Sequence, residues 1–298
     1  MIYVNVRGNL GNQLFEYACA RSIQNLTGQT ICLNIYDLIH NNPNYKFDLD
    51  KYILNDNVII EREHPIIWYA NTKFFINRVI RKLFPNFYFK HKKKQGIYTW
   101  ISSEYIELDD FSKTNFKDYF IDGYWQSTKY FKDIRDILIN ELQPKIGPLD
   151  SNKELYDKIS STESVCISIR RGDYVTNEVY KKRFLVCDQD YFESAVKKLD
   201  ELVNDTTFFI FSDDVEWARN NLNFGRECYY ESGNDTVFEK LRLMSACKHF
   251  IISNSSFSWW AQYLSTNINK VVVAPSQWYK DGSKTDIYED FWNFIKTK

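Results

Sequence analysis

Apolar and polar positions alternate along this chain in blocks that read as strand, then helix, then strand. Ile2-Tyr3-Val4-Asn5-Val6 is a short β-rich run. After Arg7-Gly8-Asn9, the residues Phe15, Ala18, Cys19, Ile23 and Leu26 recur at three-and-four spacing, which predicts one buried helix face, and Gly28 closes that helix. A second strand is expected over residues 30–35, and Tyr119-Phe120-Ile121-Asp122 is another apolar run, followed by a helix expected over 129–142. Gln143-Pro144-Lys145-Ile146-Gly147-Pro148 holds two prolines and a glycine and marks the best domain boundary. Beyond it the rhythm is cleaner. Strands at 164–169, 207–212, 227–230, 249–252 and 270–274 alternate with helices at 190–204, 214–222, 235–247 and 256–265. Asp190 with Glu193 predicts a capping box on the first of these helices, and a last helix is expected over about 286–297.

Such alternation predicts an α/β fold with parallel sheets covered by helices on both faces. The expected organisation is an N-terminal domain over 1–147 with an irregular basic and aromatic insertion at about 40–115, a second domain over 148–285, and a C-terminal helix over 286–298. Ligand-facing residues of open α/β sheets lie at strand carboxyl ends. Arg170, Arg171, Asp173, Ser212, Asp213, Asp214, Glu231, Asn254, Ser255 and Ser256 all occupy such ends. Adjacent arginines offer planar forks suited to phosphate oxygens, and the hydroxyl-rich turn Ser253-Asn254-Ser255-Ser256 opens a helix whose free N–H groups form an anion site. A structural Arg–Asp pair at a sheet edge is the competing reading of Arg170, Arg171 and Asp173. Helix capping competes for Asp213 and Asp214.

A formal net charge of −1 excludes the basic footprint of a nucleic-acid protein. No run of about 18 apolar residues and no charged-then-apolar leader occurs, so a cytosolic location is expected. Six scattered cysteines without CxxC spacing read as buried free thiols, and four histidines make no metal or triad arrangement. One segment departs from the even charge balance. Residues 73–94 carry eight Lys or Arg and no acid, interleaved with aromatics. That segregation suits peripheral association with anionic lipid headgroups on the inner face of a membrane, with a solvated surface helix and loop as the alternative.

Three strings, GNLGNQLFEYA at residue 8, IRRGDYV at residue 169 and ISNSSFSWWAQYL at residue 252, resemble the bacterial α-1,2-fucosyltransferases of glycosyltransferase family 11. Gly123-Tyr124-Trp125-Gln126-Ser127 and Leu243-Met244-Ser245-Ala246-Cys247 fit the same family, so the likeness runs from about residue 1 to about residue 280. It implies two Rossmann-like domains facing across a cleft (GT-B type). It also implies inverting transfer of fucose from GDP-fucose to the 2-hydroxyl of a galactose, with no catalytic metal. The expected acceptor is a galactose-containing glycan such as an O-antigen or other surface polysaccharide precursor, with a lipid-linked form of it among the expectations. Arg170 and Arg171 would then neutralise the β-phosphate, aided by Ser255 and Ser256, while Gly11, Asn12 and Gln13 approach the diphosphate or sugar. Asp173 is the first candidate base and Glu178 the second, although Asp173 equally suits orienting an arginine. Tyr124, Trp125 and Gln126 suit an acceptor surface, or the core. Many members carry His where this chain has Ser168, and an acid where it has Lys240 with Glu239 beside it. A related enzyme using another GDP-sugar or acceptor hydroxyl, or a non-catalytic carbohydrate-binding protein on the same fold, are the alternatives.

Overall fold

The computed structural model describes residues 1–41, 45–66, 75–99 and 104–297. It divides into two compact units, Met1–Gln143 and Pro144–Lys298. The first unit contains β1 (Ile2–Asn5), β2 (Ile31–Asn34), β3 (Val58–Glu61), β4 (Ile97–Thr99) and β5 (Tyr119–Asp122). They form one parallel sheet in the order β3-β2-β1-β5-β4. The helix Leu10–Thr27 follows β1 directly, and Leu14, Phe15, Ala18 and Ile23 are buried on it, as their spacing dictates. Gly28 closes it with a left-handed φ of 67° and donates its N–H to Gln24 O.

The second unit contains β6 (Glu163–Ile169), β7 (Thr206–Ser212), β8 (Cys228–Tyr230), β9 (His249–Ile252), β10 (Val272–Pro275) and β11 (Asn293–Ile295). Its sheet is parallel throughout, in the order β11-β10-β9-β6-β7-β8. Near-continuous apolar runs in β6, β7 and β9 are buried, as expected of strands covered on both faces. The α/β class with two Rossmann-like units therefore holds. In each sheet the strand order reverses once. The chain builds from β1 out to β3 and later sets β5 on the other side of β1; it builds from β6 out to β8 and then sets β9 on the other side of β6. Where the order reverses, connections leave the carboxyl ends in opposite directions and open a crevice for ligands.

Three sequence expectations fail locally. Residues 286–297 are not helical: β11 pairs with β10 at Val273↔Asn293, so Phe294 and its neighbours extend the sheet edge instead. The helix expected over 129–142 is two short 3₁₀ turns, Thr128–Tyr130 and Lys132–Ile134, before a helix at Arg135–Glu141. Tyr130 and Phe131 in these first turns are buried. The helix Gln189–Asp200 is capped by Asp188, whose carboxylate accepts from Tyr191 N at 2.9 Å, rather than by Asp190.

The six cysteines are free, five of them buried. No described helix is long and apolar enough to cross a membrane. In the basic segment, Lys73 and Phe74 lie outside the described residues, and the rest includes the helices Phe75–Leu83 and Pro85–Lys93. Lys92 is buried, with its ammonium 5.6 Å from the centre of the Tyr88 ring, and burial lowers its pKa. Lys93 pairs with Asp109 at 2.9 Å. Two cations that the sequence places on an exposed patch are thus engaged within the unit.

Candidate functional site

The second unit's reversal lies between β6 and β9, and the residues after those strands are the arginine pair and the serine turn. Arg170 bridges two carboxylates: Nη2 meets Asp173 Oδ1 at 2.6 Å and Nη1 meets Asp213 Oδ2 at 2.7 Å. Arg171 is held differently. Its guanidinium lies 3.6 Å from the centre of the Trp217 ring, its Nε donates to Asp214 Oδ2 at 3.2 Å, and its backbone N–H donates to Asp213 Oδ1 at 2.8 Å. Gly172 allows this crowding, because a Cβ there would sit 2.6 Å from Asp213 Oδ2. Asp214 also caps the helix Val215–Asn221, accepting from Trp217 N at 3.2 Å, so one carboxylate fixes both the ring and the cation stacked on it. Beside them, Ser255 caps the helix Ser256–Leu264 and accepts from Phe257 N at 3.3 Å. Two guanidinium groups and a nine-residue helix start therefore share one sheet edge, an arrangement suited to a diphosphate.

Several of the expected ligand residues, and Glu239 beside Lys240, have partners within the protein. Asn254 is buried and donates through Nδ2 to Phe184 O and Trp278 O, both at 2.8 Å. The Ser168 hydroxyl is 2.6 Å from that of Ser258, which is 3.3 Å from that of Ser253, so the position often held by His joins β6 to the helix start. Ser212 Oγ accepts from Asp214 N. Glu231 is buried and pairs with Lys240 at 2.6 Å. Glu239 is fully buried and accepts from Leu149 N, Asn152 Nδ2 and Tyr156 OH. Glu178 is exposed and lies 3.7 Å from Lys181. Among the described residues, no group of three or more His, Cys, Asp or Glu could hold a metal ion.

The first unit's reversal lies between β1 and β5. Gln13 is fully buried there, donating to Gly8 O and Lys46 O and accepting from Asp48 N, so it builds the glycine turn rather than facing a ligand. Gly11 is buried in the first helical turn, and Asn12 Oδ1 accepts from Gln126 Nε2 at 2.8 Å. Trp125 is 1% exposed and packs edge-on against Tyr130, which removes it from any acceptor surface, whereas Tyr124 is 36% exposed. Two charged groups at these strand ends were not among the candidates. Arg7, just past β1, pairs with Asp122 Oδ1 at the end of β5. The Asn5 amide oxygen accepts from Arg7 Nη2 at 2.7 Å in the orientation that matches donors to acceptors. Their signal in sequence was only that both end apolar runs.

Beneath them, Glu16 is fully buried and accepts the Arg7 N–H at 3.0 Å. Burial pushes its carboxyl well above the ordinary 4.5, while the Arg7 N–H and guanidinium pull the other way, so the fold favours the neutral form of Glu16. The unfolded chain ionises this group as pH rises past 4.5 and the folded chain resists, so its contribution to stability falls with rising pH. Glu16→Gln keeps the acceptor and abolishes that titration. The melting-temperature difference, variant minus wild type, is expected to grow more positive from about pH 5 to about pH 8. A pH-independent difference would show that Glu16 does not titrate this way.

Comparison with known proteins follows the same lines. The sequence profile of Glycosyl transferase family 11 matches residues 1–296. The chain is 32% identical over 290 residues to the alpha-1,2-colitosyltransferase of Escherichia coli, covering 94% of this chain and 93% of that one. It is 26% identical over 309 residues to the O-antigen biosynthesis glycosyltransferase WbnK of Escherichia coli, covering 98% and 99%. Among solved structures, the NodZ alpha-1,6-fucosyltransferase soaked with GDP-fucose is similar with a TM-score of 0.52 at 13% identity, over 88% of this chain and 91% of that one, a likeness of fold.

Proposed function

This chain belongs to glycosyltransferase family 11, and from that premise we propose that it transfers fucose from GDP-fucose, with inversion, to the 2-hydroxyl of a galactose in a glycan acceptor. The observation that carries this reading is the pair Arg170 and Arg171, held by carboxylates and an indole at the end of β6 beside the start of the 256–264 helix. A nucleotide sugar already contains a good leaving group, so the site must chiefly hold and neutralise the diphosphate. The arginines and the Ser255–Ser256 helix start do so without a metal, and Asp173 orients Arg170. Tyr124 and Gln126 suit contact with sugar rings and hydroxyls. The likeness to relatives named for colitosyl transfer and O-antigen biosynthesis supports a surface-polysaccharide precursor as acceptor, and it favours colitose as the second reading of the donor sugar.

Nucleotide binding tests the donor class. GDP at about 100-fold above its dissociation constant stabilises a native state that binds it by roughly 2.7 kcal/mol, and UDP and CMP are expected to give smaller shifts in melting temperature. Equal shifts with all three would sink the guanine assignment. Incubation with GDP-sugars and galactose-terminated acceptors, followed by GDP release and product linkage, then separates the donor sugars; no turnover with any would favour a non-catalytic carbohydrate-binding role.

A further inference from the structure

The basic segment of the first unit sorts its side chains into two faces. The helices Phe75–Leu83 and Pro85–Lys93 follow one another directly, and the second buries Tyr88 and Lys92, four residues apart. The same periodicity sets the face turned outward. Phe87, Lys90, His91 and Lys94 fall at three-and-four spacing and are exposed; Val79, Lys82 and Leu83 are exposed at the same spacing on the first helix, with Phe84 between the two. Leu83, Phe84 and Phe87 are 62%, 62% and 68% exposed. Single exposed apolar residues are ordinary, but large ones gathered so closely mark contact with a protein or a membrane.

The charges beside them decide between the two. Residues 75–99 contain no acid, and among the described residues no carboxylate pairs with Lys82, Lys90 or Lys94, whereas Lys93 turns to Asp109. An apolar groove on a protein would cover the rings and leave three ammonium groups each wanting an anion. An anionic lipid surface supplies both environments at once: rings enter the boundary between headgroups and acyl chains, while lysine stems extend along it and hold their ammonium groups among phosphates. We propose that Leu83, Phe84 and Phe87, with Lys82, Lys90 and Lys94, form a surface that docks the first unit on a membrane bearing anionic phospholipids. The rings enter to a depth of about 5–10 Å and do not span the bilayer. The lysines supply the electrostatic part, so attachment is reversible and weakens as salt rises. Lys92 and Lys93 take no part, because one is buried and the other is paired. The surface lies within one unit and owes nothing to the identity of the donor sugar.

Co-sedimentation tests it, with vesicles of phosphatidylcholine alone and of phosphatidylcholine and phosphatidylglycerol in equal parts, at low and at high salt. Wild type is expected to pellet with the mixed vesicles at low salt and to be largely released at high salt. A cation near such a surface contributes about fivefold in affinity, so Lys82→Gln, Lys90→Gln and Lys94→Gln together are expected to weaken binding by roughly a hundredfold. Phe84→Ser with Phe87→Ser is expected to weaken it by about tenfold or more. The same change to Gln at three exposed lysines of the second unit, Lys182, Lys197 and Lys284, is expected to leave binding near wild type. Thermal melts check that each variant folds. No pelleting of the wild type with mixed vesicles at low salt, equal pelleting with phosphatidylcholine alone, or an equal loss from the second-unit lysines would overturn the assignment. So would a dimer that Phe84→Ser with Phe87→Ser dissolves and that binds no vesicle, since the face would then join two copies of the chain.

Discussion

Arg171→Ala is expected to lower the transfer rate by about a hundredfold while the protein still melts close to wild type. A charge-assisted contact made to a diphosphate as it leaves is worth about 3 kcal/mol, which is roughly that factor in rate. Folding should be largely spared, because Asp214 still caps its helix through Trp217 N, and the pairing of β6 with β7 and β9 does not involve the guanidinium. Arg171→Lys should rescue poorly: an ammonium cannot reproduce both the flat stack on Trp217 at 3.6 Å and the Nε bond to Asp214. Arg170→Ala should do broader harm, since it leaves Asp173 and Asp213 without the cation that bridges them. Steady-state kinetics with a GDP-sugar, alongside thermal melts, separates the cases. Near-normal turnover in both alanine variants would remove the arginines from the site.

Glu239→Ala is expected to destabilise the protein by about 3–5 kcal/mol, the range for stripping one partner from a buried ion pair. Its carboxylate is fully buried, lies 2.9 Å from Arg242, and ties Leu149, Asn152 and Tyr156 to the helix Val237–Ala246. The alanine would leave a cation that is itself only 13% exposed, together with three hydrogen-bond donors, short of an acceptor. Glu239→Gln keeps oxygen acceptance but loses the charge, so it should fall between wild type and alanine. Removing Arg242 as well should recover part of the loss, a coupling that a double-mutant cycle reads directly. Denaturant unfolding decides it, and a loss below about 1 kcal/mol in Glu239→Ala would show that the network does not hold this region.

Elements whose own periodicity carried the burial pattern were legible in the sequence. The helices at 10–27 and 256–264 and the strands β6, β7 and β9 lie where spacing placed them. Elements decided by long-range partners were not. Nothing local distinguishes Asn293–Ile295 as a strand, because what makes it one is the free edge of β10. The site divides in the same way. Arg170, Arg171, Asp213 and Asp214 were legible because each follows a strand, and adjacent parallel strands bring their ends together. Trp217 was missed because a tryptophan in a helix reads as core until the arginine stacked on it is seen. Gln13 and Asn254 show why such motifs are ambiguous: a polar residue in a glycine- or serine-rich turn looks ligand-facing, and here each amide bonds backbone groups.

The hydroxyl seam of Ser168, Ser258 and Ser253 constrains how this chain can diverge. Ser168 and Ser258 are 5% and 1% exposed, and their oxygens are 2.6 Å apart. An imidazole at position 168 would therefore need volume that Ser258 and the start of the 256–264 helix already fill. Positions 168 and 258 therefore answer to each other: a larger side chain at one is expected to be tolerated better when the other is reduced, and the two substitutions should not add in stability.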